Sequence, residues 1–225
     1  MRGLKCDVYT ALREDITTLS ILPGAELSIE ELCARYGVSR SPVRDALLRL
    51  QRDKLVDIFP QKGTRVSFLD EKTVEEERFM RKCIELGVVG KCMEKERSER
   101  EKDAFVVKLE SNLLVQKAAL LEEDYSGFYK ADDELHHLFY TEVELDNLWS
   151  IVDAHTGNDK RIRMLSYADA SIIEGVSEQH RALVDAIKDG DIKRVLEVER
   201  MHLEKVAREI KDFEAQYPAY FVKEK

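Results

Sequence analysis

The sequence predicts a mainly α-helical protein, an N-terminal winged helix-turn-helix followed by an antiparallel all-α helical bundle. Three observations carry that expectation. Leu, Ile, Ala, Glu and Lys recur at helical spacing along most of the 225 residues, with only 10 Gly and 4 Pro to interrupt them. β-rich runs are confined to one place, LVDIF (55–59) and TRVSF (64–68). The charge is also divided unevenly. Residues 1–70 carry 11 Lys/Arg against 10 Asp/Glu, and residues 71–225 carry 25 against 35, while residues 35–65 alone hold 8 basic and 3 acidic side chains. The net charge of −9 therefore averages a small basic module over 1–70 and a larger acidic one over 71–225.

Residues 5–20 read as a helix, with Val8, Leu12, Ile16 and Leu19 on one face and Pro23-Gly24 beyond its end. Ser28 followed by Glu31 is a capping pattern for a short helix that Gly37 stops. In SRSPVRDALLRL, Ser39 or Ser41 can cap a second helix, Pro42 is tolerated in its first turn, and Val43, Ala46, Leu47 and Leu50 share its apolar face. Two short helices about a glycine turn make a helix-turn-helix, and the β-rich runs about PQKG make its wing. The second helix of such a motif enters the major groove by its N-terminal end. Ser39, Arg40, Ser41 and Arg44 are therefore the expected contacts to bases and phosphates, with Lys62 and Gly63 meeting the backbone or minor groove.

The run LPGAELSIEELCARYGVSRSPVRDALLRLQRDKLVDIFPQKGTRV resembles the DNA-binding domain of the GntR family of bacterial transcription regulators. The resemblance rests on its PG-x-x-L entry, its VSR-x-PVR-x-AL helix and its K-G-x-x-V wing. It implies double-stranded operator DNA as the partner, bound by a homodimer. Glu30 departs from the arginine that some members place early in the first helix of the motif.

Beyond Asp70, amphipathic helices are expected over 72–96, 100–122, 125–142, 145–167, 171–189 and 191–215, an antiparallel bundle of six. No run approaches the ~20 apolar residues of a membrane span, and the N-terminal MRGLKCDVYTALRED lacks the apolar core of a signal peptide. A cytoplasmic protein without a membrane partner is the expectation, its four cysteines reduced.

Asp132 and His136 stand four apart on one helix, so both project from the same face, whereas His137 turns about 100° away and Asp133 also leaves that face. His180 lies ten residues before Gly190 and His202 twelve after it, which sets them side by side in a helical hairpin. One histidine on an apolar face is usually a satisfied core residue. Three with an aspartate suit a divalent transition metal, and the spacing does not choose among zinc, nickel, manganese and iron. DDELHHLF, the D-N-L at 146–148 and the His180–His202 pair about AI-x-x-GD resemble the metal-binding FCD effector domain of FadR-type GntR regulators. That resemblance implies Asp132, His136, His180 and His202 as ligands and a small carboxylate as effector.

Arg81, four before Glu85, resembles an R-x-x-x-E of that domain and is a candidate effector contact. The face shared by Leu148, Ile151, Val152 and Ile162 turns His155 and Asn158 inward as further candidates, and Arg161 and Arg163 flank it. Arg163 is a candidate carboxylate partner if it is not solvated. The expected function is a metal-dependent, ligand-responsive repressor. The alternatives are a bundle-type metalloenzyme, for which no general base is placed, and a regulator whose metal is purely structural.

Overall fold

The first helix, α1 (Val8–Thr17), starts where the Asp7 side chain accepts the Tyr9 N–H, and it turns Val8, Leu12 and Ile16 inward. The computed structural model describes residues 7–167, 169–205 and 210–222, so the start of the helix expected from residue 5 lies outside the described residues. α2 (Ile29–Tyr36) is capped by Ser28, whose hydroxyl accepts the Glu31 N–H at 3.3 Å, and it ends at Gly37 in the left-handed conformation, φ +64°. α3 (Arg40–Arg52) buries Val43, Ala46, Leu47 and Leu50. Ser39 is its N-cap residue, with no capping bond from the side chain. β1 (Val56–Phe59) and β2 (Gly63–Val66) pair antiparallel with Phe59 opposite Gly63, forming the wing. The chain before α2 runs along β2, the Leu27 N–H donating to Thr64 O at 2.8 Å and the Val66 N–H to Ala25 O at 2.9 Å.

Among the described residues, eight helices follow: α4 (Glu71–Glu94), α5 (Glu99–Leu121), α6 (Tyr125–Glu142), α7 (Asp146–Ala154), α8 (Gly157–Ser166), α9 (Ala170–Lys188), α10 (Ile192–Lys205) and α11 (Ile210–Gln216). One of the six expected helices is divided. The one expected over 145–167 breaks at His155 and Thr156, where side chains compete for the backbone: the Thr156 hydroxyl donates to Val152 O, and His155 Nδ1 bonds Ile151 O, both at 2.8 Å. The one expected over 191–215 contains α10 and α11, with residues 206–209 outside the described residues.

Val88, Leu109, Leu135, Phe139, Leu183 and Val195 form the centre of the bundle core. The winged helix has its own core and also packs on α8. Leu55, from the turn before β1, sits so close to Gly157 that a Cβ there would lie 2.9 Å from its Cδ2. Arg161 Nη2 donates to Ser67 O at 2.6 Å, Arg13 pairs with Asp153 at 3.0 Å, and Lys130 with Glu14 at 2.9 Å. Phe221, beyond α11, bridges to Leu69 in the connection between the two cores.

Candidate metal centre and DNA-reading surface

α6 contributes Asp132 and His136, and the α9–α10 hairpin, turning at Gly190 (φ +69°), contributes His180 and His202. The His180 and His202 ring centroids are 4.6 Å apart, and His136 is 5.1 Å from the latter. His136 Nε2 and His202 Nε2 approach to 3.1 Å, and His180 Nε2 lies 3.3 Å from Asp132 Oδ1. One ligand atom from each of the four residues falls within 4.8 Å of every other.

What turns these atoms inward is the other side of each ring. His180 Nδ1 bonds Gln116 Oε1 at 2.8 Å, His202 Nδ1 bonds Gln179 Oε1 at 3.1 Å, and His136 Nδ1 lies 3.0 Å from Glu85 Oε2. Oxygen atoms of amides and carboxylates accept, so each Nδ1 carries the hydrogen and each Nε2 is aimed at the centre. Burial drives the His180 pKa down to about 3 although Asp132 opposes it, and burial with the neighbouring His180 and His136 drives His202 well below its ordinary value. Burial also acts to lower His136, but the Glu85 and Glu199 carboxylates together outweigh it and raise the pKa to about 10. Asp132 Oδ2 accepts from Arg163 Nη1, whereas Asp132 Oδ1 and His180 Nε2 are buried without a hydrogen-bond partner among the described residues. An imidazole nitrogen and a carboxylate oxygen left facing each other in the interior are costly unless an electrophile joins them, so the donor set fits a divalent transition ion.

Around this cluster lies a buried charge network that takes in Arg81, Glu85 and Arg163. Arg78 and Arg81 of α4 donate to the two oxygens of Asp159 on α8, at 2.6 and 3.2 Å, and Arg81 also donates to Glu85 at 2.8 Å. Arg163, Asp132 and Asp133 are bound together, and Lys160 donates to Asp133 and Asp153. Burial acts to raise the Asp159 carboxyl, but Arg78, Arg81 and Arg163 outweigh it and hold the group below its usual range. Glu199 is fully buried, 3.6 Å from His136 Nδ1, with no hydrogen-bond donor to either oxygen at bonding distance among the described residues. A signal for these residues is present in the sequence as polar side chains on apolar stripes. Val74, Arg78, Arg81, Glu85 and Val88 alternate by fours and threes on α4, as do Leu109, Asn112, Gln116 and Ala119 on α5.

The expected effector residues separate. Arg81 and Arg163 line a cavity of about 20 Å³ beside His202. Arg163 and its neighbour Arg161 are buried rather than solvated, because α8 is covered on both faces. His155 is exposed, since the helix break turns its ring back onto Ile151 O. Asn158 is buried but faces α4 and Arg161, its Nδ2 donating to Glu77 and its Oδ1 accepting from Arg161. Asp133 is partly buried in the Lys160–Arg163 network rather than solvated. His137 is partly exposed, stacks on Trp149 and lies 3.0 Å from Asp146.

On the winged helix, Ser39, Arg40, Ser41 and Arg44 are exposed at the start of α3, and Lys62 and Gly63 are exposed at the wing tip. Gly63 takes φ +107°, a conformation suited to glycine. Arg40 Nη2 is engaged by Glu30 Oε1 at 2.6 Å, both side chains remaining in solvent. The Tyr9 ring carries Arg49 3.6 Å above its centroid and donates its hydroxyl to Asp53, which binds α1 to α3 behind this surface.

Residues 4–66 match the gntR family of bacterial regulatory proteins, and residues 78–205 match the FCD domain. The chain is 34% identical over 216 residues to an HTH-type transcriptional regulator in an unstable DNA locus of Streptomyces ambofaciens, covering 96% of this chain and 88% of the other. It is 27% identical over 217 residues to the HTH-type transcriptional repressor RspR of Escherichia coli K12, covering 96% and 93%. In fold it is similar to Escherichia coli McbR/YncC, with a TM-score of 0.78, 19% identity and coverage of 96% and 100%. No helix among the described residues is long and apolar enough to cross a membrane. The chain belongs to the GntR family, joins an FCD domain to a winged helix-turn-helix, and is a DNA-binding transcriptional regulator.

Proposed function

We propose that the protein is a homodimeric, FadR-type repressor of the cytoplasm whose bundle holds a divalent transition ion at Asp132, His136, His180 and His202 and senses a small carboxylic acid. The observation that carries this reading is the convergence of three Nε2 atoms and Asp132 Oδ1, each ring anchored through Nδ1, with His180 Nε2 and Asp132 Oδ1 otherwise unpartnered. The ion would be zinc, nickel, manganese or iron, and when bound it supplies a Lewis-acidic position at which an acid's oxygen can be held. Arg81 and Arg163, beside the cluster, supply positive charge for a carboxylate. Ser39, Arg40, Ser41, Arg44, Lys62 and Gly63 read the operator. RspR, a repressor matched over 96% of this chain and 93% of its own, supports the sign of regulation.

A homodimer follows from the half-site logic of helix-turn-helix proteins and from α5. That helix leaves Val107, Leu114 and Leu121 exposed at intervals of seven, with Ser111 and Ala118 between them. This second, outward stripe has the spacing of a helix-pairing seam.

The test is metal content and footprinting on the region upstream of its own gene. His136→Ala is expected to lower metal affinity more than about 100-fold, while His137→Ala leaves it within about twofold. A wild-type protein that binds DNA specifically but retains no metal at micromolar supply defeats the metal reading. One whose DNA binding ignores every acid tested supports a structural ion instead.

A further inference from the structure

The cavity beside His202 is too small for any carboxylic acid. At about 20 Å³ it has room for a single water. Its cationic wall is nevertheless complete. Arg78, Arg81 and Arg163 all line it, all are at least nine-tenths buried, and each retains a buried guanidinium nitrogen without an acceptor among the described residues: Arg78 Nε, Arg81 Nη2 and Arg163 Nε. One carboxylate already lies in their midst. Asp159 accepts from Arg78 at 2.6 Å and from Arg81 at 3.2 Å, and its Oδ2 lies 3.6 Å from Arg163 Nε.

We infer that Asp159 is a built-in substitute for the effector's carboxylate, occupying the arginine cluster until an incoming acid displaces it. This rests on the carboxylate-sensing reading above and adds the step by which the acid would be felt. Asp159 is the carboxylate that the three buried guanidinium groups share, beside Glu85 on Arg81 and Asp132 and Asp133 on Arg163, and exchanging it for another carboxylate keeps the charge around them balanced. An acid entering without displacing a group has nowhere to go. The displaced Asp159 belongs to the first turn of α8, where its own N–H and that of Asn158 donate to Glu77 at 2.9 and 2.8 Å. Two residues on, Arg161 holds Ser67 O at the base of the wing. A shift of that turn is therefore delivered directly to the winged helix, and the effector's preference for the displaced form sets how far the equilibrium moves.

The test uses the full chain loaded with cobalt(II), whose visible bands report its coordination, and acetate as the probe. Asp159→Asn retains the size of the group and removes its charge. The expected result is an acetate half-saturation at least about tenfold lower in Asp159→Asn than in wild type. In wild type, saturating acetate is also expected to raise amide hydrogen exchange over residues 157–163. Equal or weaker acetate binding by Asp159→Asn overturns the inference while leaving the carboxylate reading in place, because the cobalt bands still respond. If Asp159→Asn fails to fold, wild type decides alone: an acetate-induced band shift with unchanged exchange in α8 overturns the inference. Cobalt bands that ignore acetate in both proteins overturn the carboxylate reading and this inference with it.

Discussion

Individual side chains in this protein are set by what stands behind them. His136 and His137 are adjacent, yet one is held by Glu85 in the interior and the other stacks on Trp149 at the rim. Glu77 is a less obvious case. Its carboxyl caps the start of α8 from across the bundle, and burial raises its pKa to about 7, against the opposing hydrogen bonds from Asn158 and Asp159. A folded-state carboxyl above its ordinary 4.5 binds its proton more tightly than the unfolded chain does. Its contribution is therefore greatest below 4.5 and is lost progressively as pH rises to about 7. The thermal midpoint of Glu77→Gln is expected to depend less on pH than that of wild type across this window, as measured by calorimetry at constant metal loading. A steeper dependence in the variant would contradict it.

At the level of elements, α2 constrains what α3 can do. Glu30, on the first turn of α2, takes up Arg40, so part of the charge at the tip of the recognition helix is neutralised before DNA arrives. Glu30→Ala is expected to raise affinity for non-operator DNA about threefold to tenfold and to steepen the salt dependence of binding by about one phosphate contact, measured by fluorescence anisotropy over a salt series. Helix positions and types were largely legible in the sequence, because caps such as Ser28 and stops such as Gly37 are local. The division between α7 and α8 was not. It depends on Thr156 and His155 bonding their own backbone and on Leu55 pressing against Gly157, a contact between positions 102 apart in number. The pairing of His180 with His202 was legible because the hairpin at Gly190 converts sequence distance into height along two helices. Asp159, Gln116 and Glu199 were missed because a polar residue on an apolar stripe reveals that it is buried without revealing its partner.

For the whole molecule, the bundle connects two surfaces, the outward stripe of α5 and the face of α8 beneath the winged helix. If the first joins two copies, Leu114→Glu places a charge at the middle of the seam. That variant is expected to weaken self-association more than about tenfold by light scattering, and operator affinity with it, while metal content stays unchanged. A monomer with full operator affinity would show that pairing lies elsewhere.

The contact between Leu55 and Gly157 implies that the joint between the bundle and the winged helix can be shimmed. Leu55 is fully buried, and a methyl group added at position 157 would meet it at 2.9 Å, a misfit costing about 1–3 kcal/mol. Gly157→Ala alters no proposed metal ligand or DNA-contacting residue, yet it is expected to prise the winged helix from α8, seen as faster hydrogen exchange in residues 55–69 at unchanged metal content. If the bundle senses an acid as proposed, one added carbon atom would cost the regulator its response and leave its ability to detect the acid intact.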